Sequence, residues 1–138
     1  MDLLDQLKRP FPVSSLKWRK GGGGKELVYA DARAYQKMLD DVMGAHWQCE
    51  YTHVTHTGLT ACKVGLLIDG EWVWRSSGAG ETNIEGDKGT FTDSFKRACS
   101  ARGVGRYLYY GDIKDGAIPA WATPEGYDEI INKRESVE

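Results

Sequence analysis

Cysteine, proline and histidine are all scarce: the 138 residues hold three cysteines, four prolines and three histidines. Cys49, Cys62 and Cys99 are odd in number and widely spaced, which excludes a disulfide framework and fits a reducing compartment. Together with His46, His53 and His56 they match no structural zinc spacing. On a strand, His53 and His56 would point to opposite faces. No apolar run approaches the length of a membrane span. A surplus of positive charge is missing too. Eighteen Lys and Arg against 20 Asp and Glu leave a net charge of −2, so any affinity for a polyanion must come from a local basic stripe.

Catalytic motifs are equally thin. Residues 21–25 read GGGGK, but Glu26 follows Lys25, so the hydroxyl that a P-loop places on magnesium is absent. Gly78-Ala79-Gly80 and Gly103-Val104-Gly105 are too short for a dinucleotide fingerprint. Asp40–Asp41 and the Asp112/Asp115 pair have magnesium-ligand chemistry, yet each reads more simply as a helix surface or a turn. With no catalytic constellation, no cofactor and no metal are expected, and the chain reads as a binding module rather than an enzyme. A small metal or thiol enzyme is the contrary reading, and bound zinc would reveal it.

What is present is an ordered series of amphipathic segments in a chain of single-domain size. Leu3, Leu4 and Leu7 predict a short helix ended by Pro10, docked on the body or on a neighbouring copy because a helix this short is marginal alone. Glu26 to Ala30 can form a short strand. Asp31 is a candidate N-cap for a helix whose apolar stripe is Tyr35, Met38, Leu39, Val42 and Met43, closed by Gly44. Three strands follow, over Trp47–His56, Thr60–Ile68 and Glu71–Ser77, with a hairpin turn at Asp69-Gly70. The expected fold is therefore α+β: a three-stranded antiparallel meander with one helix before it and one after. After Tyr110 the signal weakens, and Glu125–Lys133 is a candidate last helix.

The stretch 86–110 starts with a turn at its first glycines and then runs through the helix after the meander. At about 100° per residue, Phe91, Phe95, Ala98, Cys99 and Arg102 share one stripe, and Asp93, Lys96, Arg97 and Ser100 share the other. Gly103 stands where a C-terminal cap glycine belongs. The adjacent cations Lys96 and Arg97 are the first candidates for contact with a nucleic-acid backbone; a solvated polar face is the bland alternative. A second basic feature is Lys17-Trp18-Arg19-Lys20 before four glycines. It reads either as a flexible loop that meets phosphates and stacks a base on Trp18, or as a hairpin-like loop with Trp18 in the core.

Three segments in this order resemble a known family. They are YADARAYQKMLDDVMGAHWQCEY at 29–51, the meander, and GETNIEGDKGTFTDSFKRACSARGVGRYLY at 80–109. They are similar to the annealing domain of the Rad-fifty-two double-strand-break repair family, nearest its short Sak-type and DdrA-type relatives. The resemblance covers roughly residues 10–110, leaving 111–138 as an extension of a single annealing domain. It implies a β-β-β-α core and assembly into a ring or filament, in the family a ring of about ten or eleven subunits. It also implies single-stranded DNA laid in an outer basic groove with its bases exposed, and annealing without ATP or metal.

By the resemblance, Lys96 and Arg97 match the cation pair on the groove floor. Arg19 and Lys20 sit where the family has a groove-wall arginine, with Lys17 in the same basic stretch, and Lys88 matches a further basic helix position. Ser100 departs from the pattern, where eukaryotic members carry an arginine; Arg102 or Arg106 are the candidate replacements. Implied partners are single-stranded DNA, further copies of the chain, and a single-strand-binding protein or an exonuclease. No membrane partner is implied.

The N-terminus MDLLDQLKRP is acidic first and basic after, the reverse of a signal peptide. A cytoplasmic, unprocessed protein is expected. The chain stops soon after the annealing core, which points to a phage origin and hence to the host cytoplasm. Two alternatives stay open: a DNA-end protector or recombination mediator of the same fold that does not anneal, and a structural oligomeric domain whose basic pair is a subunit salt bridge.

Overall fold

The structure is a computed structural model that describes residues 2–20, 26–54, 59–77, 86–109 and 123–126. Within them the order is α1 (Leu3–Leu7), β1 (Leu16–Lys20), β2 (Glu26–Ala30), α2 (Ala32–Met43), β3 (Trp47–Val54), β4 (Leu59–Ile68), β5 (Glu71–Ser77), α3 (Gly86–Ala101) and α4 (Pro124–Gly126). Short 3-10 turns occupy Val13–Ser15 and Arg106–Tyr109.

The meander forms as the alternation of its residues requires. The sheet order is β3-β4-β5, antiparallel throughout. Asp69 and Gly70 both take positive φ, 52° and 81°, which matches the twist of the strands they join. On β4, Cys62, Val64 and Leu66 are buried, with Ile68 packed beside them. α3 lies across this face. Its Phe95, Ala98 and Cys99 are buried, the Phe95 ring centroid is 6.2 Å from that of Trp47, and Phe91 meets Tyr51 edge-on at 5.1 Å. The helix stripe predicted from spacing is thus the buried one. α3 begins at Gly86, however, so the glycine-rich start expected to be a turn is already helical.

A second correction concerns the basic stretch before the glycines. Lys17–Lys20 is not a loop but strand β1, paired antiparallel with β2 from Leu16↔Ala30 to Lys20↔Glu26. Leu16, Val28 and Ala30 alternate into the core. Trp18 does not enter the core: it is 44% exposed. The four glycines lie outside the described residues, and of the expected last helix the described part is Pro124–Gly126.

Three aromatic rings join the hairpin side of the fold to the end of α3. Phe11 packs edge-on against Tyr35 at 5.0 Å and Tyr107 at 6.1 Å. The buried Phe11 backbone N–H donates to the Tyr107 hydroxyl at 3.0 Å. Gly105 permits this closure, because it combines a φ of 70° with the Tyr35 ring 2.4 Å from where its Cβ would stand. At the start of β3, the Trp47 indole N–H donates to Asp40 of α2 at 2.8 Å. Its neighbour Asp41 pairs with Lys37. Both members of that acidic pair therefore have structural partners.

Tyr107→Phe should test the aromatic junction. It keeps the ring but removes the acceptor of a buried N–H, and it should cost about 1–3 kcal/mol. The expected readout is a lower urea midpoint with an unchanged m value.

Candidate nucleic-acid interface

The phase of α3 decides where its cations go. With Phe95, Ala98 and Cys99 against the sheet, Lys96 swings toward the β1–β2 hairpin and the start of α2. Its ammonium stands 5.5 Å from the Tyr29 ring centroid and 5.8 Å from that of Tyr35. Both distances are within cation–π reach. Tyr29 is the register partner of Lys17 across the hairpin. Lys17 and Lys96, 79 positions apart in the sequence, therefore flank the same tyrosine.

Asp31 sits among these cations. It occupies the N-cap position of α2 with extended backbone, but its carboxylate makes no cap hydrogen bond. It accepts instead from the Lys17 ammonium at 2.7 Å. That hydrogen bond lowers the Asp31 pKa, and the charges of Lys17, Lys96 and Arg33 push it the same way. The same bond raises the Lys17 pKa, while Arg33 opposes the rise. Lys17, Arg33 and Lys96 thus form one electrostatic cluster, drawn from β1, α2 and α3.

Arg33 was not among the residues singled out from the sequence. One signal was available: a cation in the first turn of a helix stands at the positive end of its dipole, where an acid is favoured. That turn of α2 contains no acid. Local spacing marks Tyr29 and Tyr35 only as strand and core residues, and nothing in it shows that a distant lysine lies over them.

The remaining expected cations divide. Arg97 is exposed and pairs with Asp93 one turn earlier at 2.9 Å, within its own chain. Arg19 and Lys20 lie on β1 next to Lys17, opposite Leu27 and Glu26 in the register, and Lys88 lies in the first turn of α3. The side chains of these three are outside the described parts.

Arg102 goes elsewhere. Only 7% exposed, it turns its guanidinium onto the carbonyls of Val64 and Val73 on adjacent strands. Burial, and then the charge of Arg75, hold its pKa below the ordinary value. The expectation that Arg102 replaces the arginine missing at Ser100 is therefore corrected: its position in the buried stripe commits it to the sheet. Arg106 is committed in a similar way. It donates to the carbonyls of Ser100 and Ala101 at 3.0 and 3.2 Å and so caps the negative end of α3.

Nucleophilic and metal chemistry find little here. Burial pushes the Cys62 thiol up to about 12 and raises Cys49 and Cys99 as well, the opposite of an activated thiolate. Among the described residues, no three His, Cys, Asp or Glu side chains gather as metal ligands. No described helix is long and apolar enough to cross a membrane.

Stability measurements should separate the two kinds of cation. Arg102→Ala strips a buried carbonyl, Val64, and a part-buried one, Val73, of their donor and should cost roughly 2–4 kcal/mol. Lys96→Ala with Arg97→Ala should stay within about 1 kcal/mol of the parent. Urea denaturation of both variants checks the contrast.

Two relatives are similar in sequence to this chain over most of its length. Both are described as single-stranded DNA-binding protein DdrA. The protein of Deinococcus radiodurans is 28% identical over 143 residues, covering 90% of this chain and 69% of the relative. That of Deinococcus deserti is 33% identical over 147 residues, covering 90% and 71%. The family described as Rad52/22 family double-strand break repair protein matches residues 1–116. The meander and the helix that sets Lys96 over the Tyr29 and Tyr35 rings both lie within the matched region, and the chain belongs to the Rad52/22 family of double-strand break repair proteins.

Proposed function

We propose that this protein binds single-stranded DNA along the groove between α3 and the β1–β2 hairpin, and anneals complementary strands without ATP. The observation that carries the reading is the convergence of Lys96 and Lys17 on Tyr29, with Arg33 beside them. A chain of net charge −2 can thereby bring cations together locally. Lys96, Arg97, Lys17 and Arg33 are the proposed phosphate contacts, joined by Arg19, Lys20 and Lys88 from the same elements. Arg102 and Arg106 are left out, because their guanidinium groups serve backbone carbonyls.

A few cations per protomer bind a strand weakly. Several protomers side by side multiply the contacts along one strand and steepen the salt dependence. Assembly into a ring or filament is part of the proposal. β3 and β5 are the outer strands of the three-stranded sheet, and edge pairing between copies would both extend the surface and cover edges prone to aggregation. Phosphates held at the groove floor would leave the bases outward, where a complementary strand can test them.

A second reading keeps the groove and drops the annealing: protection of single-stranded ends, or recombination mediation. Its support is that both relatives are named for single-strand binding.

Fluorescence anisotropy of a labelled oligonucleotide across a salt series, with light scattering on the same sample, tests the groove. The parent should bind as a multi-subunit particle, with affinity falling as salt rises. Lys96→Ala with Arg97→Ala should weaken binding at least tenfold while particle size is kept. Equal binding by parent and double variant would refute the groove. A fluorescence-quench assay with complementary strands then separates annealing from simple binding.

A further inference from the structure

The groove contains an acid that a site for polyanions does not need. Asp31 pairs with Lys17 and feels the positive charges of Lys96 and Arg33, where a carboxylate repels an incoming phosphate. Helix capping does not account for it, since the side chain makes no cap hydrogen bond and turns to β1 instead. Burial does not account for it either: the Asp31 and Lys17 side chains are each 53% exposed.

We propose that Asp31 is a built-in stand-in for a strand phosphate, holding the groove cations in the free protein and yielding them, Lys17 first, to an entering polyanion. This rests on the single-strand reading of the groove. A carboxylate and a phosphodiester both offer two oxygens to an ammonium, so Lys17 can exchange one for the other without moving far. An exposed ion pair is worth little, so the exchange is cheap. In the free protein the carboxylate relieves repulsion among the clustered cations. In the complex it competes with phosphate and keeps each protomer's hold on the strand weak. Weak, exchangeable contacts suit a protein that must let one strand slide against another. The salt dependence should therefore be shallower than the number of cations suggests, because Lys17 gives up Asp31 rather than a counterion.

Asp31→Asn is the informative variant, because asparagine is as good an N-cap as aspartate and removes only the charge. Two probes are used: a labelled oligothymidylate across a salt series and inorganic tripolyphosphate by calorimetry. Asp31→Asn should bind both roughly two- to five-fold tighter than the parent. Its salt slope on the oligonucleotide should steepen by about 0.7 per protomer engaged. Adding Lys17→Met to Asp31→Asn should erase the gain. The proposal is overturned if Asp31→Asn binds neither probe more tightly, or if the gain survives the loss of Lys17. A lower urea midpoint with no gain in binding would make the pair a structural strut, which also overturns it. If only tripolyphosphate binding improves, and neither parent nor variant binds the oligonucleotide, the role of Asp31 stands and the single-strand reading falls.

Discussion

The seating of α3 on the meander is the constraint on which the other features depend. Phe95, Ala98 and Cys99 fill the space above β4, and Arg102 reaches down to the carbonyls of two neighbouring strands. A buried guanidinium with carbonyl partners is costly to place anywhere else, so it fixes both the position and the rotation of the helix. Once that rotation is set, residue 96 has one direction available, toward the hairpin. The candidate interface is thus a consequence of core packing. A slip of one residue in the helix phase would put Lys96 into the buried place that Phe95 fills.

A second junction fixes what Lys96 finds when it gets there. Gly103 and Gly105, both with positive φ, end α3 and turn the chain under Tyr35. The Phe11, Tyr35 and Tyr107 rings then lock the N-terminal segment, α2 and the end of α3 together. β2 leads directly into α2, so this lock also places Tyr29 and Lys17. Lys96 stands over the rings of Tyr29 and the buried Tyr35, so the same lock sets the environment of its ammonium.

The electrostatics of the candidate interface are balanced rather than simply positive. Lys17 is engaged by Asp31 and Arg97 by Asp93, both at hydrogen-bonding distance and both exposed. Such pairs are weak and exchangeable. On the proposed reading they hold the cations in the absence of a ligand, at the expense of affinity per protomer. On the proposed reading, affinity for a long strand then comes from repetition along an assembly.

Much of the fold was legible in the sequence because its signals are local. Alternation over residues 47–77 and the Asp69-Gly70 turn specified the meander. The three- and four-residue steps of Tyr35, Leu39 and Val42, and of Phe95, Ala98 and Cys99, specified two helices and their buried faces. The Lys96–Arg97 pair was visible for the same reason: it falls on the opposite side of a clear stripe. The strand at Lys17–Lys20 was not visible, because charges and a following glycine run mask a pairing with β2. Arg33, Tyr29 and Asp31 could not be gathered into one site from spacing, since they meet Lys17 and Lys96 only across long intervals of chain. Arg102 shows the same limit from the other side. Its place in the buried stripe was plain in the sequence, but whether a buried arginine finds acceptors depends on which carbonyls the sheet brings beneath it. Periodicity along one element fixes which face is buried; which residues from separate elements then meet is decided where those faces pack.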